Sequence, residues 1–377
     1  MRRQILIFTF VSVFLALPVW ASWAVTRGLP EAAFWIFLLI DLVGVGLGFT
    51  AIFSDLPKKN PKLYFLDWIG YTWLGVFAFL LFTAVLVSIL RMILPANSIS
   101  SLLPTGIFIF LCGWALWGGM RLPPIRRYRK SFSFTSASID RPFRIAQLSD
   151  VHIGMLHLRQ PWLERVVERL NAEKPDIAVI TGDLIEASFE SIAHELEPLR
   201  NVVAPLGRYY VTGNHEYYYG GGIWEEKLKS LGWIPLHSRS EMIQYDRLQI
   251  QIAGVPDRVG KHSDARVKLD YDSALQENGT LNGESKIDPI FKILLVHQPS
   301  EVFQIGSIKP DLVLTGHTHG GQVFPFRPFV RWVQPVVSGW KKVAGTLLFV
   351  HQGTGFWGPP MRLGSTSEIA LIEVEGS

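Results

Sequence analysis

The sequence predicts an α/β domain of layered sheets and helices, preceded by an all-α domain of four transmembrane helices. Hydrophobic residues make up 49% of the 377 residues, more than a soluble protein usually carries, and the excess lies in the first third. From residue 143 onward, short β-rich runs alternate with amphipathic helical patterns, which is typical of layered α/β domains. We therefore expect a membrane domain at 1–120, a basic juxtamembrane linker at 121–142 and an α/β domain at 143–377.

Four apolar stretches account for the membrane prediction, because each approaches the ~20 residues that a helix needs to cross a bilayer. These predicted spans are Ile5–Val25, Ala32–Phe53, Trp68–Leu90 and Leu102–Met120. For the first span a cleavable signal peptide is the alternative, but its apolar run exceeds the usual ~7–15 residues, which favours a retained anchor. Asp41 lies near the centre of the second span, where it either serves a function or joins two helices that Gly44 and Gly48 allow to approach.

Basic residues alternate between the loops that connect these spans. They cluster before the first span, after the second and after the fourth, at Arg2, Arg3, Lys58, Lys59, Lys62, Arg121, Arg126, Arg127, Arg129 and Lys130. Cytoplasmic loops are enriched in Lys and Arg. We therefore expect an integral protein of the inner (cell) membrane with both termini and the α/β domain in the cytoplasm.

The elements of the α/β domain follow from its hydrophobic periodicity. The predicted strands are Phe143–Leu148, Ile177–Ile180, Tyr209–Val211, Ile250–Gly254, Lys292–Val296, Leu312–Leu314, Leu347–Val350 and Ile369–Val374. Helices are predicted at Pro161–Ala172, which begins with proline, and at Ile223–Leu231. The polar stretch Asp257–Asp288 is predicted to be an insertion or mobile loop. Cys112 is the one cysteine, so no intrachain disulfide forms.

Polar clusters rich in metal-ligating residue types follow five of these strands. Asp150 and His152 come after the first strand and share a face of the extended chain. The remaining members, each directly after a strand, are Asp183, Asn214, His215, Glu216, His297, His317 and His319. Each alone has an ordinary explanation as a turn residue or a core histidine. Because strand ends on one edge of a sheet converge, the set together predicts a metal site.

The order Asp-x-His, Gly-Asp, Gly-Asn-His-Glu, His, Gly-His-x-His resembles the signature of the calcineurin-like metallophosphoesterase superfamily, here in a membrane-anchored bacterial-type form. The resemblance implies a four-layer α/β/β/α sandwich and a phosphate-ester hydrolase with two divalent metal ions. It implies that one ion binds Asp150, His152 and His319, that the other binds Asn214, His297 and His317, and that Asp183 bridges them. His215 would face the substrate as the catalytic residue, and no other cofactor is implied.

The residue types agree with this chemistry. Imidazole, carboxylate and amide ligands without thiolate suit Mn, Fe or Zn. Asp150 and Asp183 are the only acids in the predicted shell, so a site with two divalent ions stays positive and attracts phosphate. We expect His215 to protonate the leaving oxygen and Glu216 to orient a ligand.

Aromatic and arginine residues alternate after the last motif, at Phe324, Phe326, Arg327, Phe329, Arg331 and Trp332. This composition suits a membrane interface, with core packing as the alternative. The leading hypothesis is hydrolysis of a phosphodiester or pyrophosphate bond in a lipid or lipid-linked substrate at the inner leaflet, since some similar members of the superfamily are UDP-2,3-diacylglucosamine pyrophosphatases. The alternatives are a membrane-tethered phosphatase or phosphodiesterase of soluble nucleotides or phosphoproteins, and a non-catalytic membrane sensor. No nucleic acid is expected as a partner, because the domain lacks a basic stripe, and no protein partner is predicted.

Overall fold

The computed structural model describes residues 16–27, 29–53, 63–94, 102–133, 139–264, 267–276 and 290–376. Its chain divides into two compact units. The helical unit comprises Met1–Met120 and Gly358–Leu363, and the α/β unit comprises Arg121–Trp357 and Gly364–Ser377.

Three long apolar helices form most of the described helical unit: α1 (Glu31–Phe53), α2 (Tyr64–Ile93) and α3 (Leu102–Met120). Within the described residues, these three are long and apolar enough to cross a membrane. They correspond to the second, third and fourth predicted spans. Of the first predicted span, residues 16–25 are helical, and residues 5–15 lie outside the described part of the chain.

Helices α1 and α2 pack closely around a buried carboxyl group. Nε1 of Trp73 donates a hydrogen bond to Oδ1 of Asp41 at 3.0 Å, and Asp41 is fully buried. A Cβ atom at Gly44 would lie only 2.2 Å from the indole ring of Trp73, so glycine is what allows this approach. The contact supports the interpretation in which Asp41 joins two helices.

Two six-stranded sheets form the centre of the α/β unit. The strands are β1 (Ile125–Phe132), β2 (Phe143–Leu148), β3 (Ile177–Thr181), β4 (Arg208–Val211), β5 (Ile234–Pro235), β6 (Arg239–Tyr245), β7 (Leu248–Gly254), β8 (Ile290–Leu295), β9 (Leu312–Thr315), β10 (Gly339–Val343), β11 (Thr346–Val350) and β12 (Ile369–Gly376). The first sheet has the order β1-β12-β2-β3-β4-β5, and the second has the order β10-β11-β9-β8-β7-β6.

Parallel strands lie at the centre of both sheets. In the first sheet β2, β3, β4 and β5 are parallel, while β12 runs antiparallel to β2 and parallel to β1. In the second sheet β11, β9, β8 and β7 are parallel, and β10 and β6 close the edges in antiparallel fashion. Parallel strands place their carboxyl ends on the same edge, which prepares that edge for a site.

The main hydrophobic core lies between the two sheets. It takes Ile145 and Val179 from the first sheet and Ile252, Ile293 and Leu314 from the second, and all five are completely buried. Residues alternate along each strand, so neighbours such as Ala146 and Leu294 belong to the opposite faces, and these are buried as well.

The helices of the α/β unit are α4 (Gln160–Ala172), α5 (Phe189–Ile192), α6 (Asn214–Tyr218), α7 (Gly222–Ser230), α8 (Gly260–Ser263), α9 (Tyr271–Leu275) and α10 (Arg327–Val333), with 3-10 helices at Ala193–Asn201, Pro299–Gln304 and His319–Gly321. Helices such as α4 and α9 cover the outer faces of the sheets. A second apolar cluster joins α9 and Pro299–Gln304 to the outer face of the second sheet. The order of layers is therefore helix, sheet, sheet, helix, which confirms the predicted fold class.

The structure differs from the sequence prediction in four strands. Strand β1 lies within the stretch that was predicted to be a linker, and its exposed side chains are mainly basic, which hides the strand pattern. The sequence analysis also missed β5, β6 and β10, each of which lies at the edge of its sheet. The eight predicted strands are all present, with ends displaced by at most two residues.

Within the polar stretch predicted to be an insertion, α8 and α9 are short helices, and residues 265–266 and 277–288 lie outside the described part.

Candidate metal centre

Loops that leave five strands carry the predicted site residues. Each loop starts at the carboxyl end of its strand, after β2, β3 and β4 of the first sheet and after β8 and β9 of the second. In chain order the loops deliver Asp150 with His152, Asp183, Asn214 with His215, His297, and His317 with His319. The site thus forms where the two sheets present their parallel strand ends.

One cluster consists of Asp150, His152 and His319, whose ligand atoms all lie within 4.8 Å of one another. Nε2 of His152 lies 3.1 Å from Nε2 of His319, and the latter atom lies 3.4 Å from Oδ1 of Asp150. All three side chains are buried. Two ring nitrogens and a carboxylate oxygen that converge in this way are typical of a site for a cation.

A second cluster consists of Asp183, His297 and His317. Oδ2 of Asp183 lies 3.0 Å from Nε2 of His297, which in turn lies 3.2 Å from Nδ1 of His317. Nδ1 of His297 donates to the carbonyl oxygen of Thr181 at 2.7 Å, which leaves Nε2 directed at the cluster. The hydrogen bond therefore fixes which nitrogen is available as a ligand.

The side-chain oxygen of Asn214 is a buried acceptor that nothing in the described structure satisfies. Its Oδ1 atom is buried and accepts no hydrogen bond from any described residue. The next residue, His215, donates its backbone N–H to Oδ1 of Asp183 at 2.9 Å, which brings the start of α6 against the second cluster. Because a buried polar oxygen without a partner is costly, this amide fits a missing ligand.

The histidines of the second cluster differ in their electrostatics. Burial and the nearby charge of His297 lower the pKa of His317 to about 3, so its imidazole is neutral and free to bind a metal. Burial also lowers the pKa of His297, but the carboxylate of Asp183 outweighs it and raises that pKa well above its usual value. Burial would raise the pKa of Asp183, because it disfavours the charged carboxylate. The nearby charges of His297 and His215 outweigh burial and hold that pKa well below its usual range.

Glu186 is a site residue that the sequence analysis missed. Its Oε2 atom lies 2.7 Å from Nδ1 of His152 and 2.7 Å from Nδ1 of His215. Burial alone would raise the pKa of Glu186, but these two histidines lower it to about 2. A third carboxylate, in addition to Asp150 and Asp183, therefore lies beside the predicted ligands, next to His152 and His215.

Backbone pairing between two loops explains the position of Glu186. The N–H of Ile153 donates to the carbonyl oxygen of Leu184 at 2.9 Å, and the N–H of Glu186 donates to that of Ile153 at 2.8 Å. The loops after β2 and β3 thus run side by side for a few residues. In the sequence, the available signal was an acid three positions after Asp183 in the same loop.

The charge on His215 depends on the neighbouring acids. Burial lowers its pKa, but Asp183 and Glu186 outweigh burial and raise it to about 9. The carboxylate of Asp183 lies 3.9 Å from Nε2 of this ring. In these surroundings the imidazole of His215 carries its proton at neutral pH, as a general acid requires.

Glu216 fastens the loops together through backbone groups. Its carboxylate accepts hydrogen bonds from the N–H groups of Gly213 (2.6 Å), Asp183 (3.1 Å) and Leu184 (2.7 Å). The side chain is completely buried. This arrangement agrees with the expected orienting role, although the group that Glu216 orients is the backbone of Asp183.

The backbone of the site is strained at five predicted ligands. Asp150, His152 and Asp183 have φ of 52°, His317 has 69° and His319 has 50°, all in the left-handed region. Residues other than glycine occupy this region rarely, at a cost of about 1–3 kcal/mol each. Such strain concentrates at functional sites, where it directs side chains toward a common point.

Two exposed aromatic rings flank His215. Its ring centroid lies 5.3 Å from that of Tyr218 and 6.1 Å from that of Trp357. Tyr218 is 61% exposed and Trp357 is 55% exposed. Trp357 is held by Gln322, which accepts from its backbone N–H at 3.0 Å and donates to its carbonyl oxygen at 2.8 Å. The mouth of the site is therefore apolar beside a charged centre.

Comparisons with known proteins identify the family of this chain. The family description "Calcineurin-like phosphoesterase" matches residues 143–321. A metallophosphoesterase of Helicobacter pylori is 33% identical over 280 residues, which cover 74% of this chain and 72% of the relative. A "Transmembrane protein with metallophosphoesterase domain" of Danio rerio is 37% identical over 236 residues, which cover 61% of this chain and 52% of the relative.

A crystal structure of a dimetal phosphatase from Danio rerio shares 14% identity and a TM-score of 0.31, and the match covers 57% of this chain and 88% of that one. The predicted family is confirmed by the sequence matches, which extend over the strand-end motifs. The chain belongs to the calcineurin-like metallophosphoesterases and is a hydrolase of phosphate esters.

Proposed function

We propose that this protein is a membrane-anchored phosphoesterase with two divalent metal ions, which hydrolyses a phosphodiester or pyrophosphate bond in a lipid or lipid-linked substrate. The observation that carries the proposal is the pair of buried clusters at the strand ends. Asp150, His152 and His319 would hold one ion, and Asn214, His297 and His317 the other. Asp183 would bridge them, as the resemblance to the family implies; its Oδ2 atom faces His297, and its Oδ1 atom accepts the N–H of His215.

The residues present fit metal ions on three counts. The unsatisfied Oδ1 of Asn214 supplies an oxygen, the neutral His317 supplies a free ring nitrogen, and the strained backbone already directs the ligands inward. The mixture of imidazole, carboxylate and amide suits Mn, Fe or Zn. The one cysteine of the chain, Cys112, lies in α3, so no thiolate is among the proposed ligands.

The chain's own residues supply acid catalysis and orientation. Two divalent ions, when bound, activate water and neutralise the phosphoryl oxygens. His215 would then donate its proton to the leaving oxygen, since Glu186 and Asp183 keep that proton on the ring. Glu186 would act as a positioning residue, because it contacts Nδ1 of His215 and leaves Nε2 to face the substrate.

The apolar mouth supports a lipid or lipid-linked substrate. Tyr218 and Trp357 lie beside the proposed acid, where they would contact an apolar part of the substrate. The three apolar helices keep the enzyme with membrane-bound molecules. The alternation of basic loops supports the inner membrane, with the site facing the cytoplasm.

Hydrolysis of two chromogenic esters tests the catalytic part of the proposal. The full chain in detergent, stripped of metal and resupplied with Mn, Fe, Zn or Mg, should cleave bis-p-nitrophenyl phosphate faster than p-nitrophenyl phosphate. No cleavage by a chain that has bound metal would contradict the proposal and favour a non-catalytic sensor. Preference for the monoester would contradict the diester or pyrophosphate assignment.

The substrate class needs a separate comparison. UDP-2,3-diacylglucosamine in detergent should be cleaved faster than UDP-N-acetylglucosamine, which has the same pyrophosphate but no acyl chains. Trp357→Ala should lower the rate with the acylated compound and leave cleavage of the soluble one unchanged. Phe303→Ala is the matched control, because Phe303 is similarly exposed at 58% and, within the described chain, makes no ring contact with His215. Equal rates with both compounds would favour a soluble nucleotide or phosphoprotein as substrate.

A further inference from the structure

Helix α10 and the residues before it expose a group of large apolar side chains. This group, here called the α10 surface, comprises Phe324, Phe326, Phe329, Trp332 and Val333. No residue of α10 is buried, and Trp332 and Val333 are 82% and 72% exposed. The rings of Phe329 and Trp332 contact each other edge to face at 5.4 Å. Because soluble surfaces rarely expose so large an apolar group, the α10 surface marks an interaction site.

The charge around the α10 surface is positive. Neither aspartate nor glutamate occurs between Asp311 and Glu368, whereas this stretch contains Arg327, Arg331, Lys341, Lys342 and Arg362. Arg331 is exposed and forms no ion pair with any acid in the described chain. Arg327 donates to the hydroxyl of Ser338 at 3.2 Å, which leaves its charge uncompensated. Aromatic side chains with unpaired arginines characterise elements that lie in the interface of an anionic membrane.

The chain passes directly from the membrane helices into the α/β unit. Helix α3 ends at Met120 and β1 begins at Ile125, so the connection spans at most about 18 Å at ~3.6 Å per residue. Trp357 directly precedes Gly358–Leu363, which belongs to the helical unit. Within that unit, the N–H of Arg362 donates to the carbonyl oxygen of Ala115 in α3 at 2.8 Å. The residues around Trp357 are therefore joined by adjacent chain to the unit whose helices are apolar enough to cross a membrane.

We propose that the α10 surface docks into the interface of an anionic lipid bilayer. Phe329, Trp332 and Val333 would enter the boundary between headgroups and acyl chains, and Arg327 and Arg331 would contact lipid phosphates. A basic residue near an anionic bilayer is worth about 1 kcal/mol. A second copy of this chain is a poorer occupant, because a two-fold contact through this surface would bring like charges of the two copies together.

The docked α10 surface would also position the metal centre. Gln322 lies between His319–Gly321 and the α10 surface, and it holds Trp357 at the mouth of the site. The proposal goes beyond the substrate assignment, since the surface can dock whether the substrate is a lipid or a soluble ester. Its test therefore measures depth in the bilayer and not hydrolysis.

Site-directed spin labelling of the full chain tests the docking. In a Cys112→Ala background, Trp332→Cys and Phe329→Cys would each carry a nitroxide, with Glu226→Cys on α7 as the control. Glu226 is 71% exposed and forms an ion pair with Lys229, which makes it a water-facing position. The proteins would be placed in phosphatidylcholine bilayers with and without phosphatidylglycerol. Trp332 is 82% exposed, and its described ring contact is with Phe329 of the same surface, so its replacement leaves the buried core untouched.

The relative collision rates with oxygen and with a water-soluble nickel complex report the depth of each label. With phosphatidylglycerol present, labels at 329 and 332 should collide rarely with nickel and often with oxygen. The label at 226 should show the opposite, water-exposed pattern, with frequent nickel collisions and few oxygen collisions. Substitution of both Arg327 and Arg331 by Glu should move the label at 332 toward the control. Water-like values at 332 in the anionic bilayer would overturn the proposal. Protection from both agents would also overturn it, since that result indicates a protein contact.

Discussion

Oε2 of Glu186 lies 2.7 Å from Nδ1 of His215, so a carboxylate stands directly beside the ring that we propose as the general acid. The same oxygen lies 2.7 Å from Nδ1 of His152 in the first cluster. The carboxylate of Glu186 therefore connects His152, a proposed metal ligand, to His215, the proposed general acid. A substitution of Glu186 consequently tests orientation and proton affinity together.

We expect Glu186→Gln to lower kcat, measured at saturating metal, by about 10-fold or more. Removal of the negative charge lowers the pKa of His215, because Glu186 is one of the groups that raise it. An enzyme that needs protonated His215 loses rate as the pH rises through that pKa, so the alkaline limb of the profile should move to lower pH. The pH dependence of kcat checks this direction.

Glu190→Gln is the matched control for this prediction. Glu190 is exposed at the start of α5 in the same stretch of chain, so its substitution should leave kcat and the profile unchanged. An unshifted alkaline limb in Glu186→Gln, together with full activity, would contradict the role of Glu186.

His215→Ala and Asp183→Ala should separate catalysis from metal binding. Loss of the general acid should lower kcat by about 10²–10⁴-fold, while the protein still binds two ions because His215 is not a proposed ligand. Asp183→Ala should lose both activity and metal, since its carboxylate contacts His297 and the start of α6. Metal content by mass spectrometry checks the difference. Full activity of His215→Ala on an ester with a poor leaving group would contradict the acid role.

The sequence was sufficient to predict strands and site residues that share a strong local pattern. All eight predicted strands were present, because central strands such as β3 are apolar throughout. Strand β1 was missed because its exposed arginines resemble a juxtamembrane linker. Glu186 was missed because its position depends on pairing between two loops, a tertiary effect that a single acid in a loop does not reveal.

Asp41→Leu should destabilise the helical unit without affecting hydrolysis. It removes the hydrogen bond from Trp73 across α1 and α2, and such a bond contributes about 1 kcal/mol within a membrane domain. Trp73→Phe should cause a similar loss, and the double variant should lose less than the sum of the two. Thermal unfolding of the detergent-solubilised chain checks the effect. A stable Asp41→Leu chain without activity would instead indicate that Asp41 has a function.

Glu301 predicts how stability depends on pH. Burial and the nearby charge of Asp257 raise the pKa of Glu301 to about 8, far above the ~4.3 of an unfolded chain. Between these values the folded protein keeps a proton that the unfolded chain releases, so the free energy of unfolding falls as the pH rises.

Glu301→Gln should therefore weaken this dependence, and its melting temperature should exceed that of the wild type at about pH 8 more than at about pH 5. Glu168→Gln, on the exposed face of α4, should leave the dependence unchanged. A wild-type melting temperature that rises over this interval, with no effect of Glu301→Gln, would show that the buried carboxyl group is ionised in the folded protein.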